Sequence, residues 1–255
     1  MKEKLRNKIN LSDKDLLAYN KHILLEDIQT EGIEILSTKH IVLIGLGGLG
    51  CPIAQYLATS GLGKLSIIDN DIIEDTNLQR QILYTCKDIG KNKVDTVEQK
   101  LKTLNSDLVI QKHNIKFSMH SSNLLKDADL VIDATDNFST RSIINKATIK
   151  YKKPLIMGAA EKMEGQVSVF RNDLANRPCY NCLYADVDDK ESSCMDQGVL
   201  SMLTGIIGNI QALESIKLLL NFGDTLESKL LLVDVKNINF RTIRISKDPK
   251  CTMCN

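Results

Sequence analysis

The stretch His40 to Gly50, His-Ile-Val-Leu-Ile-Gly-Leu-Gly-Gly-Leu-Gly, constrains this chain most. Ile41 to Ile44 is an unbroken apolar run, the pattern of a strand buried on both faces of a parallel sheet. It empties into Gly45, Gly47, Gly48 and Gly50, and Ile53, Ala54, Leu57 and Ala58 then recur on one face of a helix. Strand, glycine turn and helix together are the context in which a G-x-G-x-x-G fingerprint carries weight. Gly45 permits a sharp turn, and Gly47 and Gly48 let the backbone approach a phosphate with no Cβ in the way. The N–H groups that open the helix then face the anion. Asp69 ends the next apolar run, about 20 residues on, where a carboxylate would grip ribose hydroxyls. This unit points to a nucleotide; a glycine-rich turn with no ligand is the plainer alternative.

The rest of the chain extends the alternation. Helical and strand patterns follow one another: a helix over 92–104, a strand near Leu108–Gln111, a short helix over 121–126, and a strand at Leu130–Ile132. A helix over 139–150 then leads to a strand at Pro154–Met157. Such βαβα order predicts an α/β fold with a doubly wound, mostly parallel, Rossmann-like sheet. After Gly158 the pattern changes. Gly165 to Arg171 alternates as a half-exposed strand, a long helix covers about 199–220, and strands near 229–235 and 238–245 read as an antiparallel pair. Ahead of the core, 12–36 reads as an amphipathic helical segment, with Ser12 and Asp15 as a capping box and a break at Gly32.

With 43% apolar residues in 255, the chain can bury a proper core, and its net charge of +1 argues neither for nor against nucleic acid. No apolar segment follows the charged Met1–Lys8, so no secretory signal is expected. The apolar stretch Val199–Leu220 is interrupted by Ser201, Thr204, Asn209, Gln211, Glu214 and Lys217, and reads as a buried helix rather than a membrane span. A cytoplasmic location is the default.

Four groups of residues carry chemistry. The long irregular segment Asn70–Lys93 is of the kind that is more often functional than not. Within it Asn77-Leu-Gln-Arg-Gln81 and Lys93 supply a planar fork of donors at Arg80 and a point charge at Lys93, both suited to polyphosphate. A solvated Arg and a helix-start Lys are the alternative. Asp133 and Asp136 follow a parallel strand at the edge where ligands bind, and a carboxylate there suits Mg²⁺; capping of the next helix is the competing role. Cys179-x-x-Cys182 and Cys251-x-x-Cys254, separated by 68 residues, can supply four thiolates to a closed zinc site. Cys194 lies in an irregular polar stretch and is either a nucleophile or incidental.

Taken together these residues resemble the ThiF/MoeB/HesA family, the bacterial relatives of ubiquitin-activating enzymes. The resemblance runs from about Leu11 to Cys254, and Thr76-Asn-Leu-Gln-Arg-Gln81 and Gly205–Leu218 add to it. It implies a single adenylation domain over 1–255, divided into an N-terminal helical segment (1–38), a nucleotide-binding core (39–158) and a carrier-binding and zinc part (159–255). It implies ATP rather than NAD, and adenylation of the C-terminal glycine of a ubiquitin-like sulfur-carrier protein ending in Gly-Gly. By the same resemblance Gly45, Gly47 and Gly48 approach the phosphates and Asp69 holds the ribose. Asn77, Arg80 and Lys93 contact phosphates, Asp136 binds Mg²⁺, Asn137 lies beside the nucleotide, and the cysteine quartet holds Zn²⁺. Arg80, Lys93, Asp136 and Cys194 are thus the expected catalytic set.

The resemblance also implies a homodimer in which a cation from the first helix reaches the partner's ATP. Lys21 occupies that position, where the family has arginine; it keeps the charge and loses the fork. Cys194 aligns with a cysteine that joins the activated carrier in ThiF-like members. Ile23–Ile28 and Gln79–Tyr84 look ThiF-like and Met163–Gln166 looks MoeB-like. The leading expectation is a ThiS-like carrier for thiamine synthesis. The alternatives are a MoaD-like carrier for molybdopterin, or a peptide or tRNA carboxylate. With no rhodanese-type extension after Cys254, a separate sulfur donor is expected, such as a cysteine desulfurase or a rhodanese-like protein. Neither nucleic acid nor a membrane is expected as a partner.

Overall fold

The computed structural model describes residues 11–185 and 198–255. Among them, eight strands form one sheet in the order β3-β2-β1-β4-β5-β6-β7-β8. The central strand β1 (His40–Ile44) is buried throughout and pairs in parallel with β2 (Lys64–Ile68) and β4 (Leu130–Asp133). Parallel pairing continues outward to β3 (Val109–His113) and to β5 (Leu155–Glu161). From β5 the sheet becomes antiparallel through β6 (Glu164–Phe170), β7 (Lys229–Asp234) and β8 (Asn239–Arg244). The expected doubly wound parallel sheet with an antiparallel C-terminal part is therefore present.

Strand alternation explains how helices cover both faces. Ile41 and Leu43 belong to one core cluster with Ile53 and Leu57 of α4 (Gly50–Ala58), Val97 of α5 (Lys93–Leu104) and Ile207 of α8 (Ser201–Leu220). Val42 and Ile44 face the other cluster, with Ile144 and Ala147 of α6 (Phe138–Tyr151). By length and apolarity α8 alone, among the described residues, would suffice to cross a membrane. Leu203, Ile207, Gln211 and Ser215 are instead buried in the core, as its polar interruptions predict.

The N-terminal segment departs from expectation. It breaks into α1 (Asp13–Ala18), α2 (Asn20–Ile23) and α3 (Gln29–Ser37). The Ser12–Asp15 capping box forms, but Gly32 sits inside α3 rather than at a break. A Cβ there would lie 2.8 Å from Ile28 Cγ2 and 3.3 Å from Leu220 Cδ1, so its glycine serves close packing on α8. The helix expected over 121–126 is a 3-10 segment, Met119–Leu125. A one-turn helix, α7 (Tyr180–Leu183), had no periodic signal.

The chain winds from β1 out to β2 and β3, then returns across β1 to β4. A crevice therefore opens at the carboxyl ends of β1 and β4, the place where open α/β sheets bind ligands.

Candidate active site

That crevice is a cleft of about 1380 Å³. The glycine loop forms one wall. Gly45 has φ +95°, and a Cβ there would meet Ala134 O at 2.6 Å, so strand β4 and the turn together demand glycine. A Cβ at Gly48 would lie 3.1 Å from the Thr204 side chain of α8. Gly47 differs: a Cβ would meet only Gln81 Nε2, at an ordinary 3.8 Å. The fold has no packing need for glycine at 47; the room it leaves opens on the cleft.

Asp69 follows β2 and is turned back onto the loop. Its carboxylate accepts the Leu46 N–H at 2.7 Å and the Asp71 N–H at 2.8 Å. Burial raises its pKa, and the nearby Lys93 opposes the rise. Lys93 begins α5, where it is buried, and its Nζ lies 2.7 Å from Asp71 Oδ2. Lys93 thus starts a helix and also lines the cleft.

The segment Asn70–Lys93 borders the cleft. Two 3-10 turns, Asp75–Asn77 and Cys86–Asp88, shape it. Asn77 Oδ1 accepts the Glu74 N–H at 3.2 Å, and Arg80 Nη1 donates to Thr76 O at 3.0 Å. Arg80 is half-buried and lines the cleft, with guanidinium donors beyond the one bound to Thr76 O left for a ligand. Asp88, with Lys100 Nζ at 2.6 Å and Lys91 Nζ at 3.1 Å, fastens the segment to α5.

The two aspartates after β4 separate. Asp133 is fully buried, and Oδ1 accepts both the Thr135 N–H (2.9 Å) and hydroxyl (2.7 Å), so it builds the turn. Burial raises its pKa against the pull of Arg141. Asp136 lines the cleft and, among the described residues, its Oδ1 accepts a long bond, 3.3 Å, from Asn137 Nδ2. Capping of α6 falls to Asn137, whose Oδ1 accepts the Thr140 N–H at 2.9 Å, not to either aspartate. Asp136 is therefore the carboxylate available to a cation.

Some cleft features escaped the sequence reading. Gln81 is buried, and its Oε1 has no partner among the described residues. Gln211 of α8 donates Nε2 to Asp133 O at 2.8 Å, and a Cβ on Gly158 would fall 2.2 Å from its Oε1. Arg141 Nη2 donates to Thr135 O at 2.7 Å, fixing the loop that carries Asp136. Gln81 and Gln211 lay in quoted motifs without a role; Arg141 comes from distant packing and gave no local signal. Lys21 is exposed on α2 and does not line this cleft. Cys194 lies outside the described residues.

The two C-x-x-C pairs meet. All four sulfurs lie within 4.8 Å of one another, with Cys179–Cys182 at 4.0 Å, Cys179–Cys251 at 3.8 Å and Cys182–Cys254 at 3.6 Å. Sulfurs on a tetrahedron about 2.3 Å from zinc stand about 3.8 Å apart. The quartet fits zinc, and four thiols so close cannot ionise together without a cation.

Comparison with known proteins decides the family. The model of the ThiF family matches residues 19–253. This chain belongs to the ThiF family. It is 38% identical over 245 residues to "Molybdopterin-synthase adenylyltransferase" of Salmonella typhimurium, covering 96% of this chain and 98% of that one. It is 39% identical over 249 residues to "Adenylyltransferase and sulfurtransferase MOCS3-1" of Drosophila pseudoobscura pseudoobscura, covering 96% of this chain and 55% of that protein. The chain thus spans about half the length of that relative and others of its kind. Among solved structures, E. coli MccB with MccA-N7isoASN superposes with a TM-score of 0.82 at 22% identity, covering 97% and 76% of the two chains. PaaA superposes with a TM-score of 0.80 at 23% identity, covering 97% and 79%. These two likenesses establish the ThiF-like fold.

Proposed function

We propose that this ThiF-family chain is an ATP-dependent adenylyltransferase that activates the C-terminal carboxylate of a ubiquitin-like sulfur carrier of the molybdopterin-synthase, MoaD-like kind. The observation that carries the reading is the cleft itself. An unfilled Gly47, the half-buried acid Asp69, the cations Arg80 and Lys93 and the accessible acid Asp136 converge at the carboxyl edge of β1 and β4. That set suits a nucleoside triphosphate better than a dinucleotide, which needs no acid beside its phosphates. The names of the close relatives support the molybdopterin alternative over the thiamine branch that Ile23–Ile28 and Gln79–Tyr84 favour.

In this reading the glycine-loop backbone and the N-terminus of α4 approach the phosphates, and Asp69 receives the ribose hydroxyls. Asn77, Arg80 and Lys93 bear on the phosphates, and Asn137 lies beside the nucleotide. Asp136 is the residue to hold Mg²⁺, which when bound neutralises phosphate charge. A carrier carboxylate oxygen forms a bond to the α-phosphorus as the bond to the β-phosphate oxygen breaks, giving an acyl-adenylate and pyrophosphate. The attacking group is already an anion, so the chain needs no strong base; orientation and charge neutralisation are its contribution. Lys21 completes a second copy's site in a homodimer. Zinc in the quartet ties the C-terminus to α7.

The test is ATP–pyrophosphate exchange by the purified protein with candidate carriers ending in Gly-Gly. Exchange with a MoaD-like carrier alone supports the reading; exchange only with a ThiS-like carrier returns it to thiamine. Binding of ATP without exchange with any carrier removes the carrier assignment. In the molybdopterin reading Cys194→Ala leaves exchange unchanged.

A further inference from the structure

The cysteine quartet and the cleft are joined by a short path of packed side chains. Helix α7 is a single turn, and its N-cap Cys179 and interior Cys182 both belong to the quartet. Isolated helices below roughly 12 residues are marginal in water, so a one-turn helix owes its form to what holds its ends. Two anchors are present. One is the sulfur cluster. The other is fully buried Asn145 of α6, whose Nδ2 donates to Cys179 Sγ at 3.5 Å and whose Oδ1 accepts the Tyr180 N–H at 3.2 Å.

The C-cap of α7 is Tyr184. Its hydroxyl donates to Gln166 Oε1 at 2.7 Å, and Gln166 lines the cleft. Its ring packs against Tyr180 (centroids 4.8 Å apart) and against Phe138 (6.2 Å). Phe138 opens α6 directly after Asp136 and Asn137, and the Arg141 guanidinium lies 5.6 Å over its ring while holding Thr135 O. The element ordered by the quartet is therefore the one on which the Asp136 loop leans.

We propose that metal in the quartet strengthens ATP binding in the cleft, with Tyr184 as the positioning residue that couples α7 to Phe138 and the Asp136 loop. This rests on the reading that the cleft binds ATP. When the metal holds Cys179 and Cys182, α7 stays folded and Tyr184 braces Phe138. Without it α7 loses one anchor, and the loop must be ordered by ATP itself. The coupling is reciprocal: ATP tightens the metal by the factor by which the metal tightens ATP.

The experiment measures MgATP affinity by calorimetry on zinc-loaded and chelator-treated protein, and zinc affinity by chelator competition with and without MgATP. About a tenfold weakening of ATP on zinc removal is expected, with a matching tightening of zinc by ATP. In Tyr184→Leu, which keeps all four sulfurs, zinc still binds and both factors fall toward one, whereas Tyr184→Phe keeps the ring and restores most of the coupling. Zinc-free protein that stays folded and binds ATP as tightly as the loaded form overturns the proposal. If zinc-free protein unfolds, zinc-loaded Tyr184→Leu decides: a several-fold weaker ATP affinity supports the coupling, and an unchanged one overturns it. Loaded wild-type protein that binds no ATP would instead overturn the function assigned to the cleft, and this coupling with it.

Discussion

The Leu46 amide donates to the Asp69 carboxylate at 2.7 Å, so the acid at the end of β2 holds the glycine loop at the end of β1. One oxygen thus shapes the turn while the other accepts the Asp71 N–H, which starts the segment leading to Lys93. The acid after β2 and the glycine loop after β1 are a single hydrogen-bonded unit rather than two separate features.

Asp69→Asn tests that unit. The amide keeps the volume but lacks the charge that accepts two backbone donors. A charge-assisted bond of this kind contributes about 1.5–3 kcal/mol. The expected outcome is ATP affinity at least tenfold weaker, with a modest fall in thermal midpoint. Calorimetric titration and thermal unfolding check it; unchanged ATP affinity would show that Asp69 serves the loop alone.

Arg80 and Asp133 make a contrasting pair. Arg80 is half-buried and donates to Thr76 O, so Arg80→Ala should abolish pyrophosphate exchange at a stability cost of about 1 kcal/mol or less. Asp133 is buried and makes the Thr135 turn, so Asp133→Ala should destabilise by about 1–3 kcal/mol, leaving buried donors unpaired. Denaturant unfolding beside exchange kinetics separates the two. Near-normal exchange in Arg80→Ala would end its assigned role.

What the sequence made legible follows from range. The glycine loop and Asp69 sit in a local strand–turn–helix pattern whose spacing located them, whereas Asn77 and Arg80 were singled out from the alternative of a solvated loop by the family resemblance. The residue pattern alone did not separate Asp133 from Asp136, and only the resemblance chose Asp136, because three residues of turn decide which carboxylate is buried and which faces the cleft. The quartet was readable as two pairs, yet only the fold could bring them within 4.8 Å. Asn145 and Tyr184 gave no signal, since each acts through a partner far away in the chain, Cys179 and Gln166 among them. The N-terminal helix was misjudged because its amphipathic period persists through Tyr19 and Leu24–Ile28, whereas the backbone leaves helical geometry at Tyr19 (φ −103°, ψ 14°) and again at Gln29, which takes a left-handed φ of +54°.

Removing one sulfur tests the metal site. Cys254→Ser should lower bound zinc well below one equivalent and cost several kcal/mol of stability, because the binding free energy of a closed four-cysteine site is folding free energy. Metal analysis of the purified variant, with its unfolding midpoint, gives the answer. Full zinc content would remove Cys254 from the ligand set.

His40 gives the chain an acid-sensitive point away from the cleft. It opens β1 and is buried, with Nε2 2.8 Å from Ser66 Oγ and Nδ1 3.1 Å from Asp127 O. Burial lowers its pKa below the ordinary 6.5, only partly offset by the Asp127 carbonyl. The unfolded chain therefore binds a proton at a pH where folded His40 does not. Its contribution is fully present above about pH 6.5 and is lost as pH falls through that value toward the lower folded one. His113, also lowered, acts in the same direction at the end of β3. Stability measured in urea should thus decline from about pH 7 to about pH 5, and His40→Gln should flatten part of that slope while lowering stability at neutral pH. A slope unchanged in His40→Gln would place the titration elsewhere.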